Sequence, residues 1–310
     1  MKHLLVTTDL SDCSLQAIDA AKSLVKLFPP GETIVTLLTI VEDNIPTGIQ
    51  FEFGLAPINS AAVLAAAERQ ATTKVQALRD EHFAGCPGTA VCLRDCEGVE
   101  HEIVSYAAEH KIDIVLMATH GRRGIRRLIA GSVTERVLHS AKFPILVVPQ
   151  RNTLHSDRHE STHIVVATDL SAASERAMPI ARELFDVYGS ASATLTLLHI
   201  AENMVEATFN MPLGENIERI RFDLESQASR RIEEIRASYF ANTLATTCVI
   251  RAERPAQEEL LAYVNSHRTN LLVIASQGHS AIDHLMVGSV TEKVVRRSPC
   301  CTLVVPPTAL

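Results

Sequence analysis

The chain reads as two tandem α/β domains, each a parallel sheet covered by helices on both faces. Three observations predict this: an internal repeat, a regular alternation of strand-like and helix-like segments, and strands apolar enough to be buried on both sides. The repeat is the strongest. His3-Leu4-Leu5-Val6-Thr7-Thr8-Asp9-Leu10-Ser11 returns as His163-Ile164-Val165-Val166-Ala167-Thr168-Asp169-Leu170-Ser171. Gly131-Ser132-Val133-Thr134-Glu135 returns unchanged as Gly288-Ser289-Val290-Thr291-Glu292, and Leu37-Leu38-Thr39-Ile40 returns as Leu197-Leu198-His199-Ile200. The order and the nearly constant offset imply a unit of about 150 residues, far beyond solenoid periods, and therefore a duplicated domain. The expected boundaries are residues 1–149 and 163–310, joined by the polar linker 150–162.

Each element can be justified in order. Leu4 to Thr7 is an apolar β run, and Ser11 or Asp12 can cap the helix that follows. That helix carries Ala17, Ala20, Ala21, Leu24 and Val25 at helical spacing and stops at Pro29-Pro30-Gly31. Thr33 to Val41 is rich in Thr, Ile and Val, a second strand. A long segment through Pro46, Gly48 and Pro57 leads to an Ala-rich helix from Asn59 to about Phe83. Thr89 to Leu93 is the third strand, Val99 to His110 a helix, and Ile112 to Ala118 a nearly continuous apolar fourth strand. Pro144 to Val148 closes the unit. The second half repeats the order, with strands near 163–168, 193–201, 246–251, 270–275 and 301–305.

Composition narrows the function classes. The 310 residues are 46% hydrophobic and 21% charged, ordinary for a soluble globular protein. A formal charge of −7 offers no basic footprint, so nucleic acid is not an expected partner. No run approaches the twenty or so apolar residues of a membrane span, and Met1 to Val6 is too short for a signal-peptide core. A cytoplasmic location with no membrane partner is expected. The seven cysteines are then reduced thiols, and Cys92 with Cys96 has no second pair at a zinc-site spacing. No metal site is expected, and the two linker histidines, His155 and His159, are read as solvated.

In a doubly wound sheet the ligand sits at the carboxyl ends of the strands, beside the loops after the first and fourth. The repeated signatures lie in those loops. After the fourth strand the first half reads Ala118-Thr119-His120-Gly121, nine residues, then Gly131-Ser132. The second reads Ala275-Ser276-Gln277-Gly278, nine residues, then Gly288-Ser289. Glycines let backbone N–H groups approach an oxyanion, and the helix beginning near Ser132 aims its positive end at the same point. The hydroxyls of Ser132 and Thr134 can add hydrogen bonds. The same residues also fit a plain capping box, Ser132 with Glu135 and Ser289 with Glu292.

Strand-Thr-Asp-x-Ser followed by G-x2-G-x9-G-(S/T) resembles the universal stress protein family, over essentially the whole chain and once per half. The resemblance implies Rossmann-like domains of the adenine nucleotide alpha hydrolase-like type, each a five-stranded parallel sheet of order 3-2-1-4-5. It implies pairing of the halves through their last strands, Ile145–Val148 with Thr302–Val305, as an intramolecular pseudo-dimer, and leaves room for a homodimer. It implies ATP, with Mg2+, as ligand. Asp9 and Asp169 would contact the adenine with backbone near Val41 and Ala201. Ala118, His120, Gly121, Arg122, Gly131, Ser132, Val133 and Thr134 would hold ribose and phosphates, as would Ala275, Gln277, Gly278, Gly288, Ser289, Val290 and Thr291. Both halves depart from the pattern at its first glycine, replaced by Ala118 and Ala275. Arg122, Arg123, Arg126 and Arg127 suit a triphosphate better than His279, Asp283 and His284 do, so the first half is expected to bind ATP more readily.

Three functions follow. The leading one is nucleotide-controlled stress response or signalling through conformational change. The second is a slow ATPase or phosphotransferase, for which His120, matched by Gln277, is the candidate base. The third is a dimeric scaffold without nucleotide, favoured by the two alanines. The segments 42–57 and 202–215, with Phe51, Phe53, Met204, Phe209 and Met211, either line an apolar pocket or cover the sheet.

Overall fold

The computed structural model describes residues 2–42, 60–119, 132–151, 154, 161–189, 192–202, 216–278 and 287–307. The first half runs β1 (Lys2–Thr7), α1 (Leu15–Val25), β2 (Thr33–Val41), α2 (Ser60–Phe83), β3 (Gly88–Arg94), α3 (Val99–Glu109), β4 (Ile114–Ala118), α4 (Ser132–Ser140) and β5 (Ile145–Val148). The second runs β6 (Thr162–Ala167), α5 (Ala172–Glu175), α6 (Met178–Tyr188), β7 (Ala193–Ala201), α7 (Asn216–Tyr239), β8 (Thr246–Arg251), α8 (Ala256–Ser266), β9 (Leu271–Ala275), α9 (Ser289–Arg297) and β10 (Cys301–Val305). The strand expectations match these bounds to within one or two residues, while the first helix is shorter than expected, Leu15–Val25. Of the loop residues named above, Phe51, Phe53, Met204, Phe209 and Met211 lie outside the described residues.

All ten strands form one sheet of order β3-β2-β1-β4-β5-β10-β9-β6-β7-β8. Each half has the order 3-2-1-4-5 with parallel pairing throughout. The join is antiparallel, with Val147 opposite Thr302, Leu146 opposite Leu303 and Ile145 opposite Val304. β4, β5, β9 and β10 are short and almost fully buried because helices cover both of their faces.

The apolar alternation within each strand feeds two cores. Leu4, Val6, Leu37 and Leu116 face α1 and α2, while Leu5, Leu38, Val115 and Met117 face α3 and α4. Each core continues across the join into the second half. On one face of the join, Leu154 is 4% exposed and packs among Leu24, Ile114, Leu146, Leu184, Leu271 and Leu303. On the other face, Arg296 Nε lies 2.7 Å from Glu135 Oε1 and its Nη2 lies 2.6 Å from Glu292 Oε1. Lys2 Nζ reaches Glu183 Oε2 at 2.8 Å, a further ion pair between halves.

Leu154 corrects the sequence reading of the linker as wholly polar and solvated. A single leucine among polar neighbours carries no periodicity, yet six apolar side chains from both halves receive it. Removing its branch leaves a space that the flanking strands cannot fill. Leu154→Ala should cost about 2–5 kcal/mol of unfolding free energy by denaturant titration. An unchanged midpoint would show that the linker does not anchor the join.

Candidate functional site

The carboxyl ends of β1 and β4 are adjacent because Val6 pairs with Leu116, and Val166 pairs with Val273 in the second half. Asp9 therefore emerges beside Ala118, and Asp169 beside Ala275. The turn after the first strand of each half is built identically. Asp9 Oδ1 accepts from Ser11 N–H at 3.1 Å and from Ser11 Oγ at 2.6 Å. Asp169 Oδ1 accepts from Ser171 at 3.0 and 2.6 Å in the same way. Leu10 and Leu170 sit at φ 63° and 65°, a left-handed conformation that costs a side chain of this type about 1–3 kcal/mol.

A hydrogen-bond relay holds that strain in place. Leu10 N–H donates to Thr8 Oγ1 at 3.0 Å, Thr8 and Ser14 hydroxyls meet at 2.7 Å, and Ser14 Oγ donates to Ser11 O at 2.7 Å. The second half repeats it through Leu170, Thr168, Ser174 and Ser171 at 3.0, 2.8 and 2.9 Å. Sequence reasoning missed Thr8, Ser14, Thr168 and Ser174. The signal was present: a serine recurs five residues after the aspartate in both halves.

Capping of the following helix differs between halves. Ser171 Oγ accepts from Ser174 N–H at 3.1 Å and caps α5. In the first half α1 begins only at Leu15, its N-cap is Ser14, and no side chain caps it. Ser11 keeps the expected contact in a longer form, its Oγ accepting from Ser14 N–H at 3.4 Å beside the backbone bond from Ser14 N–H to Ser11 O at 3.0 Å.

The helix after the fourth strand is held to the strand it follows. Thr134 Oγ1 donates to Ala118 O at 3.1 Å, and Thr291 Oγ1 donates to Ala275 O at 2.9 Å. Both threonines are buried, so these hydroxyls position the helix start and leave Ser132 and Ser289 as the exposed ones. Gly288, not Ser289, is the N-cap of α9, with φ −62° and ψ 145° and no side-chain cap. Glu135 and Glu292 turn to Arg296 instead. The capping-box reading is thereby replaced, since the N-cap of α9 is a glycine with no side chain to close the turn. Gly288 N–H donates to Ser276 O at 2.7 Å, closing the neck of the segment between them.

Ala118 and Ala275 are the last residues of extended strands, paired with Val148 and Val305. No left-handed φ is required there, so alanine serves where the sequence pattern has glycine. Gly278 has a different need. A Cβ at this position would collide with Asp169 Oδ2, so the backbone after β9 lies directly against the carboxylate after β6. Val41 and Ala201 end the second strand of each half, where their carbonyls accept from Asp95 and Ala252 N–H, both at 3.0 Å. Gln277 is half-buried beside Gly278. His120, Gly121, Arg122, Gly131 and the other arginines of that segment lie outside the described residues, as do His279, Asp283 and His284.

Other chemistry is sparse. Burial pushes the Cys300 thiol up to about 12 and raises those of Cys92 and Cys248, which disfavours thiolate chemistry. Among the described residues no cluster of His, Cys, Asp or Glu is arranged to hold a metal, and no helix is long and apolar enough to cross a membrane.

The family model described as universal stress protein family matches residues 1–149 and again 160–306. Universal stress protein MJ0531 of Methanocaldococcus jannaschii is 32% identical over 148 residues, 47% of this chain and 81% of that one. Universal stress protein A homolog 1 of Coxiella burnetii is 28% identical over 155 residues, 47% of this chain and 95% of that one. Among solved structures, a universal stress protein from Archaeoglobus fulgidus covers 98% of both chains with a TM-score of 0.68 at 18% identity, a likeness of fold.

The contact between Gly278 and Asp169 is testable by a double-mutant cycle. Gly278→Ala should destabilise by about 1–3 kcal/mol through overpacking, and by clearly less when Asp169→Ala has removed the carboxylate. Additive effects in denaturant titrations would mean that the two loops do not touch.

Proposed function

The chain belongs to the universal stress protein family, once in each half, and from that membership we propose that it binds an adenine nucleotide at the carboxyl edge of each half. One observation carries the reading. In both halves a half-buried aspartate is locked, through a strained turn, beside the end of the fourth strand. In the second half that strand is followed by a helix whose N-cap is a glycine, Gly288, with no side chain to cap it. A carboxylate so placed accepts hydrogen bonds from a ribose or an exocyclic amine, while the helix start receives phosphate.

In this reading Asp9 and Asp169 hold the nucleoside with backbone at Val41 and Ala201. Ala118, Ser132 and Val133, with Ala275, Gln277, Gly278, Gly288, Ser289 and Val290, supply backbone and hydroxyl donors to ribose and phosphates. Thr134 and Thr291 act by tethering the helix start. His120, Gly121, Arg122 and Gly131 belong to the same site by sequence, and their arginine-rich segment makes the first half the stronger ATP binder, with Mg2+. Domain boundaries at 149 and 163, a cytoplasmic location and action as an intramolecular pseudo-dimer are part of the proposal. The protein then works in stress response or signalling by conformational change rather than by turnover.

The test is isothermal titration of nucleotide-stripped protein with magnesium-ATP. Asp9→Ala and Asp169→Ala should each weaken their own half by roughly 10–100-fold, the range of a hydrogen bond to a charged group. Absence of heat from the folded native chain would sink the reading.

A further inference from the structure

Away from the candidate sites, at the amino edge of the strands, each half carries a second duplicated arrangement built around a histidine. His163 N–H donates to Asn270 Oδ1 at 2.8 Å, and Asn270 N–H returns a bond to His163 O at 2.9 Å. In the first half Asp113 makes the same clasp on His3, at 2.7 and 2.9 Å. The rings also match. His163 Nε2 lies 3.1 Å from Thr196 Oγ1, and His3 Nε2 lies 2.9 Å from Thr36 Oγ1. Tyr263 stacks on His267 at 3.8 Å and Tyr106 on His110 at 3.9 Å.

The one difference in charge is Asp113 against Asn270. His163 Nδ1 faces His267 O at 3.3 Å, which fixes its proton there and leaves Nε2 to accept from the Thr196 hydroxyl. A second proton turns Nε2 into a donor aimed at a donor. Thr196 must then rotate toward Thr246 Oγ1, 3.2 Å away on the edge strand. The groups facing the ring are Tyr263 of α8, His267 at its C-cap, Thr196 of β7 and the neutral Asn270, and none supplies a negative charge. His3 faces Tyr106 and His110 of α3 and Thr36 of β2, with the Asp113 carboxylate beside it.

We propose that the His163 cluster is an acid-sensitive latch, so that the second half loosens before the first as pH falls from about 7 to about 5. Burial holds both His3 and His163 below the usual 6.5, and the nearby Asp113 opposes that depression only for His3. The sign follows. The unfolded chain takes up the proton first, so stability is whole above 6.5 and is lost as pH falls through the lowered folded value. The latch lies on β6, next to β9 and β7 of the central sheet, so its release bears on the packing of α8 rather than on a surface loop.

Peptide-resolved hydrogen exchange on the full chain, corrected for intrinsic rates, reads each half separately. Protection of β6, β7 and α8 should fall by up to roughly tenfold per pH unit between 6.5 and the lowered folded value, and that of β1, β2 and α3 by less. Asn270→Asp should raise the folded value of His163 toward the ordinary one and so shrink the acid loss of the second half, and Asp113→Asn should give the first half the same sensitivity. His163→Gln, which cannot titrate, should flatten the profile of the second half. Equal loosening of both halves, or no transfer of sensitivity by Asp113→Asn, would overturn the proposal, and that substitution decides it even if Asn270→Asp does not fold.

Discussion

The antiparallel pairing of β5 with β10 is the constraint on which the rest of the molecule depends. Without it each half would end in a fully buried strand with an unpaired edge, an arrangement that backbone hydrogen bonding does not tolerate. With it, two five-stranded sheets become one, and both apolar cores run unbroken through the join. Only β3 and β8 remain as edges, and these are the strands with the least buried patterns. Leu154 on one face and the Glu135–Arg296–Glu292 group on the other reinforce a contact that the strands already define.

Because the join is antiparallel, the strands of one half run opposite to those of the other. The two candidate nucleotide sites therefore lie on opposite edges of the common sheet. The carboxyl edge of the first half shares its side with the amino edge of the second, where the His163 cluster sits. Asp9 and His163 are thus separated only by the strands from β1 to β6, β4-β5-β10-β9, in one rigid layer.

Much of this was legible in the sequence because duplication repeats every signal. Strands β1, β2, β4 and their counterparts were visible as apolar runs, and Asp9, Asp169, Gly278 and Gly288 stood out because they recur in place. What was not legible had no repeat or no period. Leu154 occurs once, in a polar segment, and its burial depends on leucines brought together only by the join. The tethering role of Thr134 and Thr291 was not legible because a hydroxyl near a helix start reads the same whether it binds a ligand or a strand carbonyl. The capping box failed for a related reason: Ser289 lies one residue inside the helix, and Glu292 meets a stronger partner in Arg296.

The two copies also serve as controls for one another. Holding Leu10 and Leu170 left-handed costs energy twice, and the Thr-Ser relay that secures them is present twice, with the same partners and nearly the same distances. Packing alone would relax such a turn in at least one copy, since a glycine at either position removes the strain at the loss of one partly buried leucine. The arrangement therefore fixes the aspartate in the same way at the end of the strand in both halves. Asp113 and Asn270 show the opposite case. Their clasp on the strand backbone is retained in geometry while the charge is not, so the backbone contact is the shared structural need and the charge is what separates the halves.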